Sequence, residues 1–176
     1  MELDAIASRI VEYMAVSAVT APKTKGTDSI GVQIVRGADI RRLADAMYAY
    51  GKAIGSEEKY NRDGKNIMDA DAVLLFFIKP GTPAPGLNCG ACGEERCADL
   101  QSVEGPMFPG PICAWRLMDL GIALGSAVKT ASMFNVDNRI IHRIGPPARK
   151  SKMAEGSMVI GIPISITHKN IFFDRS

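Results

Sequence analysis

Apolar residues recur at intervals of three and four positions in two stretches of the chain, 3–19 and 40–54. This spacing puts them on one face of an α-helix, so each stretch is predicted to form an amphipathic helix. Pro22 is expected to end the first helix, because the residue before a proline avoids the helical region. Asp39 is a suitable N-cap for the second helix. Both helices are therefore expected to pack one face against a core.

Three further stretches have patterns that are typical of β-strands. In 29–35 apolar residues alternate with small or polar ones, which predicts a short, half-buried strand. The run 72–78 is apolar throughout and is predicted to be a central strand buried on both faces. The run 158–166 predicts a second buried strand, in which Pro163 indicates an edge or a bulge because proline cannot donate to a ladder. The polar segment 56–71 is compatible with a short helix or a strand.

The longest predicted helix covers 112–134 and is rich in small residues. Apolar residues lie on nearly every side of it, which predicts a central, buried helix. Gly121 and Gly125 are four residues apart and so share one face. Their missing side chains would let another backbone or a flat cofactor approach that face closely. The segments 80–111 and 145–147 are rich in proline and glycine and are predicted to be loops.

Length and charge limit the classes of function. A chain of 176 residues suits one domain. Its 21 basic and 19 acidic side chains leave a net charge of +2 without a long run of either sign, so no nucleic-acid partner is expected. The longest apolar run has the length of a strand, far short of a bilayer span. The chain starts with acidic residues where a signal peptide is basic, and we expect a cytoplasmic protein with no membrane partner.

All four cysteines, Cys89, Cys92, Cys97 and Cys113, lie within 25 residues and are separated by two, four and fifteen residues. A [4Fe–4S] cluster needs four converging thiolates. Closely spaced cysteines allow one tight loop to supply three of them, while the fourth returns from farther away. A glycine directly follows each of the first two cysteines, and a positive φ there would turn backbone amides toward the cluster sulfurs.

Two other interpretations of the cysteines stay open. Zinc sites with four cysteines more often use two separated Cys-x-x-Cys pairs, whereas here the second pair is replaced by Cys97 and Cys113 at unequal spacing. The zinc interpretation predicts a structural or regulatory module without a redox role. Disulfides or free thiols are the third interpretation, which a reducing cytosol disfavours.

The stretch from Leu87 to Cys97, together with Cys113, resembles the four-cysteine [4Fe–4S] domain of corrinoid iron–sulfur proteins and of electron-transport B subunits of anaerobes. The shared pattern is Asn-Cys-Gly-x-Cys-Gly, followed by a third and, farther on, a fourth cysteine. The whole chain resembles a family of uncharacterised ferredoxin-domain proteins of anaerobic bacteria and archaea. The matching segments are 20–23, the cysteine loop, 119–127, 137–139, 161–163 and 169–175.

This resemblance implies one [4Fe–4S] cluster held by the four cysteines and a ferredoxin-like function in electron transfer. It also implies a redox partner protein or a small-molecule electron acceptor. No catalytic residue is implied, and an oxidoreductase reaction is left open.

A weaker resemblance concerns the fold. An N-terminal helix, a basic loop, a buried strand, a long small-residue helix and a strand with Gly-x-Pro follow one another as they do in nitroreductases. The resemblance implies an α+β fold with a three-layer arrangement around a central sheet. In it, residues 1–176 form a single domain, and 80–113 form a cluster-binding segment inserted between a central strand and a central helix.

Nitroreductases are homodimers that bind FMN at the subunit interface, so the resemblance implies a homodimer here too. It implies that Lys23 and Lys25 lie near the flavin phosphate and that Gly121 and Gly125 face the flavin. The alternative function is then an FMN-dependent reductase fed with electrons by the cluster. One departure is that nitroreductases carry an arginine- and serine-rich segment where this chain has Ala21-Pro22-Lys23.

Three other residues carry side chains with possible functional chemistry. Trp115 follows Cys113 by two residues and is predicted either to shield a cluster from water or to belong to the core. His142 and His168 are the only histidines, and both are interpreted as surface or packing residues.

Overall fold

The computed structural model describes residues 3–173, so residues 1, 2 and 174–176 of the predicted domain lie outside the described part. The α-helices in it are α1 (Leu3–Thr20), α2 (Ala38–Ala53), α3 (Glu57–Met68), α4 (Ala114–Met133) and α5 (Gly145–Lys150). The β-strands are β1 (Ile30–Val35), β2 (Ala72–Ile78), β3 (Asp137–Asn138) and β4 (Val159–Ser165). Short 3-10 turns cover Thr24–Gly26, Cys97–Asp99 and His142–Ile144.

The four strands form one antiparallel sheet in the order β1–β2–β4–β3. β2 lies between β1 and β4, where Ile30 is the partner of Ile78 in one ladder and Val159 the partner of Phe77 in the other. Six of the seven residues of β2 are buried and the other is half-buried. The predicted central strand, covered on both faces, is confirmed.

Helices cover both faces of the sheet. α1 and α4 pack on one face, in a core that includes Met14 and Phe76. α2, α3 and α5 pack on the other face, in a core that includes Leu43 and Leu75. Leu75 and Phe76 are adjacent in β2 and point to opposite faces, as the two-residue period of a strand requires. The predicted three-layer arrangement around a central sheet is therefore confirmed.

The segment 56–71, for which the sequence allowed helix or strand, contains α3. The helix buries Tyr60 against the second core. It also buries Asp63, whose carboxylate accepts hydrogen bonds from Arg62 Nε at 3.1 Å and from Arg143 Nε at 2.6 Å. A buried charge needs partners of this kind, and one of them comes from a residue 80 positions away.

Two predictions about prolines have different outcomes. The segment 145–147, predicted to be a loop, forms the first turn of α5, where the missing N–H of a proline is not needed. β4 is an interior strand, and its register with β2 is continuous. At Pro163 itself β4 is a local edge, as the proline indicated, because pairing on the β3 side stops after Asn138 and resumes only at the bridge between Ile141 and Gly161.

α4 is not buried on all sides, as its apolar composition predicted. It buries one face, which includes Leu120, Ala123 and Ala127, against the first core. Met118 and Ile122 point away from the body with 51% and 41% of their surface exposed. The sheet covers the inner face of α4, and no element within residues 3–173 covers its outer apolar face.

Within the same described part, neither α1 nor α4 nor any shorter helix combines the length and the hydropathy needed to cross a membrane.

Candidate functional site

The four cysteines lie on the connection between β2 and α4. Cys89 is exposed, Cys92 and Cys97 are half-buried, and Cys113 is buried. Cys113 is the N-cap residue of α4, whereas Cys97 begins a 3-10 turn. All four are free thiols, so a disulfide pairing of the cysteines is absent.

The backbone of the loop turns sharply next to the first two cysteines. Gly90 and Gly93 have φ values of 74° and 95°, and Asn88 has a φ of 48°. Glycine adopts such values without strain, and asparagine tolerates them better than most residues. The positive φ that the sequence predicted for the two glycines is confirmed.

Hydrogen-bond donors reach two of the cysteine sulfurs. The backbone N–H of Asn88 donates to Cys97 Sγ at 3.3 Å, and the N–H of Cys97 donates to Asn88 Oδ1 at 2.9 Å. The indole Nε1–H of Trp115 donates to Cys89 Sγ at 3.2 Å. The pKa of Cys89 lies below its ordinary value, first because the backbone N–H of Ala91 donates to the sulfur and then because Trp115 does.

No three cysteine, histidine, aspartate or glutamate side chains within residues 3–173 converge on one point in the manner of a metal centre. The fold thus brings the four thiols into one loop without gathering them into one coordination shell. The chemistry of the donor set fits an iron–sulfur cluster, because thiolates are its ligands and N–H donors at the sulfurs are what stabilise it.

The second half of the loop is fixed to the far layer of the molecule. Val103 and Gly110 exchange backbone hydrogen bonds of 2.8 and 2.9 Å, which closes the segment between them into a small lobe. Arg149 in α5 donates to the carboxylate of Glu104 at 3.1 Å and to the carbonyl oxygen of Met107 at 3.4 Å. The lobe is therefore held in place by α5.

Gly145, at the start of α5, packs tightly against both β4 and the lobe. A Cβ atom at this position would lie 2.0 Å from the carbonyl oxygen of Val159 and 2.7 Å from Cε1 of Phe108 in the lobe. We expect Gly145→Ala to lower the free energy of unfolding by about 1–3 kcal/mol, the usual cost of overpacking. Urea denaturation checks this, and an unchanged midpoint would show that both β4 at Val159 and the lobe at Phe108 yield freely.

The two lysines expected to lie near a flavin phosphate, Lys23 and Lys25, have different surroundings. Lys23 caps the end of α1: its Nζ donates to the carbonyl oxygens of Val19 at 2.8 Å and Ala21 at 2.7 Å. Burial lowers the pKa of Lys23. Lys25 is exposed and has a φ of 57°. Lys23 is therefore occupied by backbone oxygens, while Lys25 points to solvent.

Gly121 and Gly125 lie on the exposed face of α4. A Cβ built at either position would meet nothing within 4 Å, so no group within residues 3–173 makes the close approach that the sequence predicted. The turn that carries Lys25 lies against the same helix, because Thr24 is hydrogen-bonded to Asp119. One end of the exposed glycine face and the basic turn are thus neighbours.

A buried ionic network, which the sequence did not reveal, joins this turn to α4. Asp119 accepts hydrogen bonds from Thr24 N at 2.7 Å and from Arg116 Nη1 at 3.0 Å. It also accepts from the hydroxyls of Thr24 and Ser29. Arg116 donates in turn to the carbonyl oxygen of Pro83 at 3.0 Å. The network therefore ties the start of the cysteine loop to the core of the protein.

A cleft adjoins the cysteine loop, and the two histidines lie outside any group of metal-binding side chains within residues 3–173. A cleft of about 390 Å³ lies beside Cys97, Cys113 and Arg116. His168 is exposed at the C-terminal side of β4. Burial and the nearby Arg143 lower the pKa of His142, which follows β3 on the opposite edge of the sheet from β1. No histidine takes part in a cluster of metal-binding groups within residues 3–173.

A known relative and a family model identify the chain. A protein of Archaeoglobus fulgidus, described as "Uncharacterized protein", is 41% identical over 165 residues, which cover 93% of this chain and 88% of that protein. Residues 109–175 match the model of a family described as "Uncharacterized protein containing a ferredoxin domain" (DUF2148). The chain belongs to this ferredoxin-domain family. The matched segment includes Cys113 and begins after the other three cysteines.

The fold is similar to that of nitroreductases. The nitroreductase CinD of Lactococcus lactis, in complex with nicotinic acid, gives a TM-score of 0.63 at 12% identity, over 92% of this chain and 79% of that one. The FMN-dependent nitroreductase NfnB of Mycobacterium smegmatis, in complex with NADPH, gives 0.60 at 13% identity, over 92% and 78%. A nitroreductase of Desulfitobacterium hafniense with bound FMN gives 0.59 at 12% identity, again over 92% and 78%.

At these identities the likeness concerns the fold alone, and the ferredoxin-domain protein has a nitroreductase fold. The family, described as containing a ferredoxin domain, supports a redox role.

Proposed function

We propose that the ferredoxin-domain protein binds one [4Fe–4S] cluster through Cys89, Cys92, Cys97 and Cys113 and acts in electron transfer. The observation that carries this proposal is the set of four free thiols on one loop, two of them already accepting N–H hydrogen bonds. A zinc site with four cysteine ligands more often uses two separated Cys-x-x-Cys pairs, and this loop contains one such pair.

When bound, the cluster would supply one-electron redox chemistry. The chain itself does the holding and positioning. Cys113 is fixed by α4, and the pair of hydrogen bonds between Asn88 and Cys97 keeps the first part of the loop closed. The Arg116–Asp119 network holds the start of the loop at Pro83. The loop thus starts and ends on rigid structure.

Anaerobic purification with metal, sulfide and flavin analysis tests this proposal. We expect a brown protein with a broad absorption band near ~400 nm and about four iron atoms and four sulfides per chain. A colourless protein with one zinc atom per chain would overturn the proposal in favour of the structural or regulatory module.

A second candidate is an FMN-dependent reductase that receives electrons from the cluster. Its specific support is the outer face of the α1–α4 layer. Among residues 3–173, fifteen large hydrophobic side chains are exposed, and ten of them belong to α1, α4 or the residue that ends α4. These ten are Leu3, Ile6, Tyr13, Val16, Val19, Leu117, Met118, Ile122, Met133 and Phe134. A surface of this kind marks an interaction site.

We propose that a second copy of the chain covers this face, giving a homodimer with the exposed glycines of α4 at its interface. Flavin bound there would lie beside the turn that carries Lys25, whose exposed ammonium is one available cation for a phosphate. Yellow protein that releases FMN on denaturation would support the reductase. Iron without flavin, even after reconstitution with FMN, would overturn it.

The homodimer makes a separate prediction. We expect Gly125→Leu to shift the protein from dimer to monomer, because the new side chain would fill the space that the partner helix needs. Sedimentation analysis measures this. Ala53→Leu is the matched control, since it adds a similar side chain at an exposed position of α2, in the opposite layer. If both variants sediment like the unchanged protein, the interface lies elsewhere.

The proposal also includes the cellular location of the protein and its redox partner. Free thiols persist in reducing compartments, so we propose a cytoplasmic location. We propose that the electron donor or acceptor is a redox protein or a small molecule. It would reach the loop at Cys89, the most exposed of the four thiols.

A further inference from the structure

Trp115 connects the two ends of the cysteine loop. It lies in the first turn of α4, two residues after the buried Cys113, and its side chain is half-buried. Its indole reaches back 26 residues along the chain, where Nε1–H donates to the sulfur of the exposed Cys89 at 3.2 Å. The most exposed ligand position is thereby tied to the helix that begins at the buried one.

An N–H donor at a thiolate sulfur changes the energy of a cluster in a definite direction. Reduction adds negative charge to the cluster and its sulfurs, and a hydrogen bond to a charged acceptor is stronger than one to a less charged acceptor. The donor therefore stabilises the reduced form more than the oxidised form. Hydrogen bonds to the sulfurs are one of the factors that set the potential of such clusters.

We propose that Trp115 is a positioning residue that raises the reduction potential of the cluster by donating its indole N–H to Cys89. This inference rests on the proposed [4Fe–4S] cluster. It differs from the two roles that the sequence suggested for Trp115, shielding from water and core packing, because both of those depend on the ring and not on its N–H.

The variant Trp115→Phe separates these roles. Phenylalanine keeps an aromatic ring over the loop and removes the donor. Anaerobic titration with sodium dithionite, which supplies the single electron per cluster, is expected to give a lower potential in this variant. A tenfold loss in the equilibrium constant for reduction corresponds to a shift of about 59 mV for one electron. Ile54→Leu, an exposed change at the C-terminal end of α2 in the opposite layer, is the control and should leave the potential unchanged.

Trp115→Ala removes ring and donor together and admits water to the loop. If shielding were the dominant role of Trp115, both variants would move the potential upward or only the alanine variant would move it. An unchanged or higher potential in Trp115→Phe overturns the inference. A preparation of the unchanged protein that contains no iron–sulfur cluster overturns the proposed function instead, so the two failures are distinguishable.

A measurement on the unchanged sequence removes any dependence on how the variants fold. Trp115 is the only tryptophan, so protein made with ¹⁵N-indole tryptophan carries one labelled side-chain nitrogen. In the reduced, paramagnetic protein we expect electron–nuclear double resonance to detect hyperfine coupling to that nitrogen. A cluster signal without coupling to the labelled nitrogen would show that the indole does not donate to a ligand sulfur, and would overturn the inference.

Discussion

Replacing Cys97 with serine is expected to remove most of the iron from the protein or to convert the cluster to a form with fewer iron atoms. The chain has four cysteines, which equals the number of ligands that a [4Fe–4S] cluster needs, so no spare thiol can take over. A serine hydroxyl does not ionise near neutral pH and is a poor substitute for a thiolate. Iron and sulfide per chain, after anaerobic purification, give the result directly.

The effect should be specific to the thiol. Glu95→Gln changes an exposed side chain two residues away in the same loop and is the matched control, with an expected iron content equal to that of the unchanged protein. If Cys97→Ser retained all of its iron, the assignment of Cys97 as a ligand would be refuted. Loss of iron from both variants would mean that the loop responds to any change, and would equally contradict a thiol-specific role.

Segments whose pattern repeats along the chain could be predicted from the sequence. β2 was recognisable because an uninterrupted apolar run of strand length has to be buried on both faces. α1 and α2 were recognisable because their apolar residues keep a helical period. The position of the cysteine loop followed from these two kinds of element, since it is the polar, glycine-rich stretch between a buried strand and the next helix.

Features that depend on distant partners could not be predicted in this way. α3 is mostly polar, and its buried Asp63 forms an ion pair with Arg143, which is far away in the sequence. The apolar composition of α4 suggested burial on all sides, yet it could not say whether the second partner belongs to the same chain. The hydrogen bond from Trp115 to Cys89 depends on a fold of the loop that no spacing rule supplies.

Two ion pairs with the same spacing show this limit most clearly. Arg96 and Asp99 are three residues apart, and so are Arg116 and Asp119. In the first pair 72% and 41% of the side-chain surfaces are exposed, and in the second 3% and 2%. The two pairs have the same residue types and spacing in the sequence, although their contributions to the free energy of unfolding are expected to differ severalfold.

Asp119→Ala is expected to lower the free energy of unfolding by about 3–5 kcal/mol, because removal of one partner leaves Arg116 buried without its counter-charge. It also leaves the backbone N–H of Thr24 without its acceptor. Asp99→Ala, the matched control, should cost about 0–1 kcal/mol, as exposed pairs usually do. Urea denaturation of both variants at equal iron content measures the difference, and equal losses would contradict the role assigned to the buried network.

The effect of Asp119→Ala on the free energy of unfolding is also expected to depend on pH. Burial tends to raise the pKa of Asp119, but the hydrogen bonds from Thr24 and Arg116 outweigh it, and the pKa lies below its ordinary value. A carboxylate with a lowered pKa stabilises the folded state fully above the ordinary aspartate pKa of about 3.9. That contribution is lost as the pH falls below this value toward the pKa in the folded state. The difference in free energy of unfolding between the unchanged protein and Asp119→Ala should therefore be constant near neutral pH and become smaller below about pH 4. A difference that became larger in acid would mean that Asp119 is protonated in the folded protein and that Arg116 has another partner.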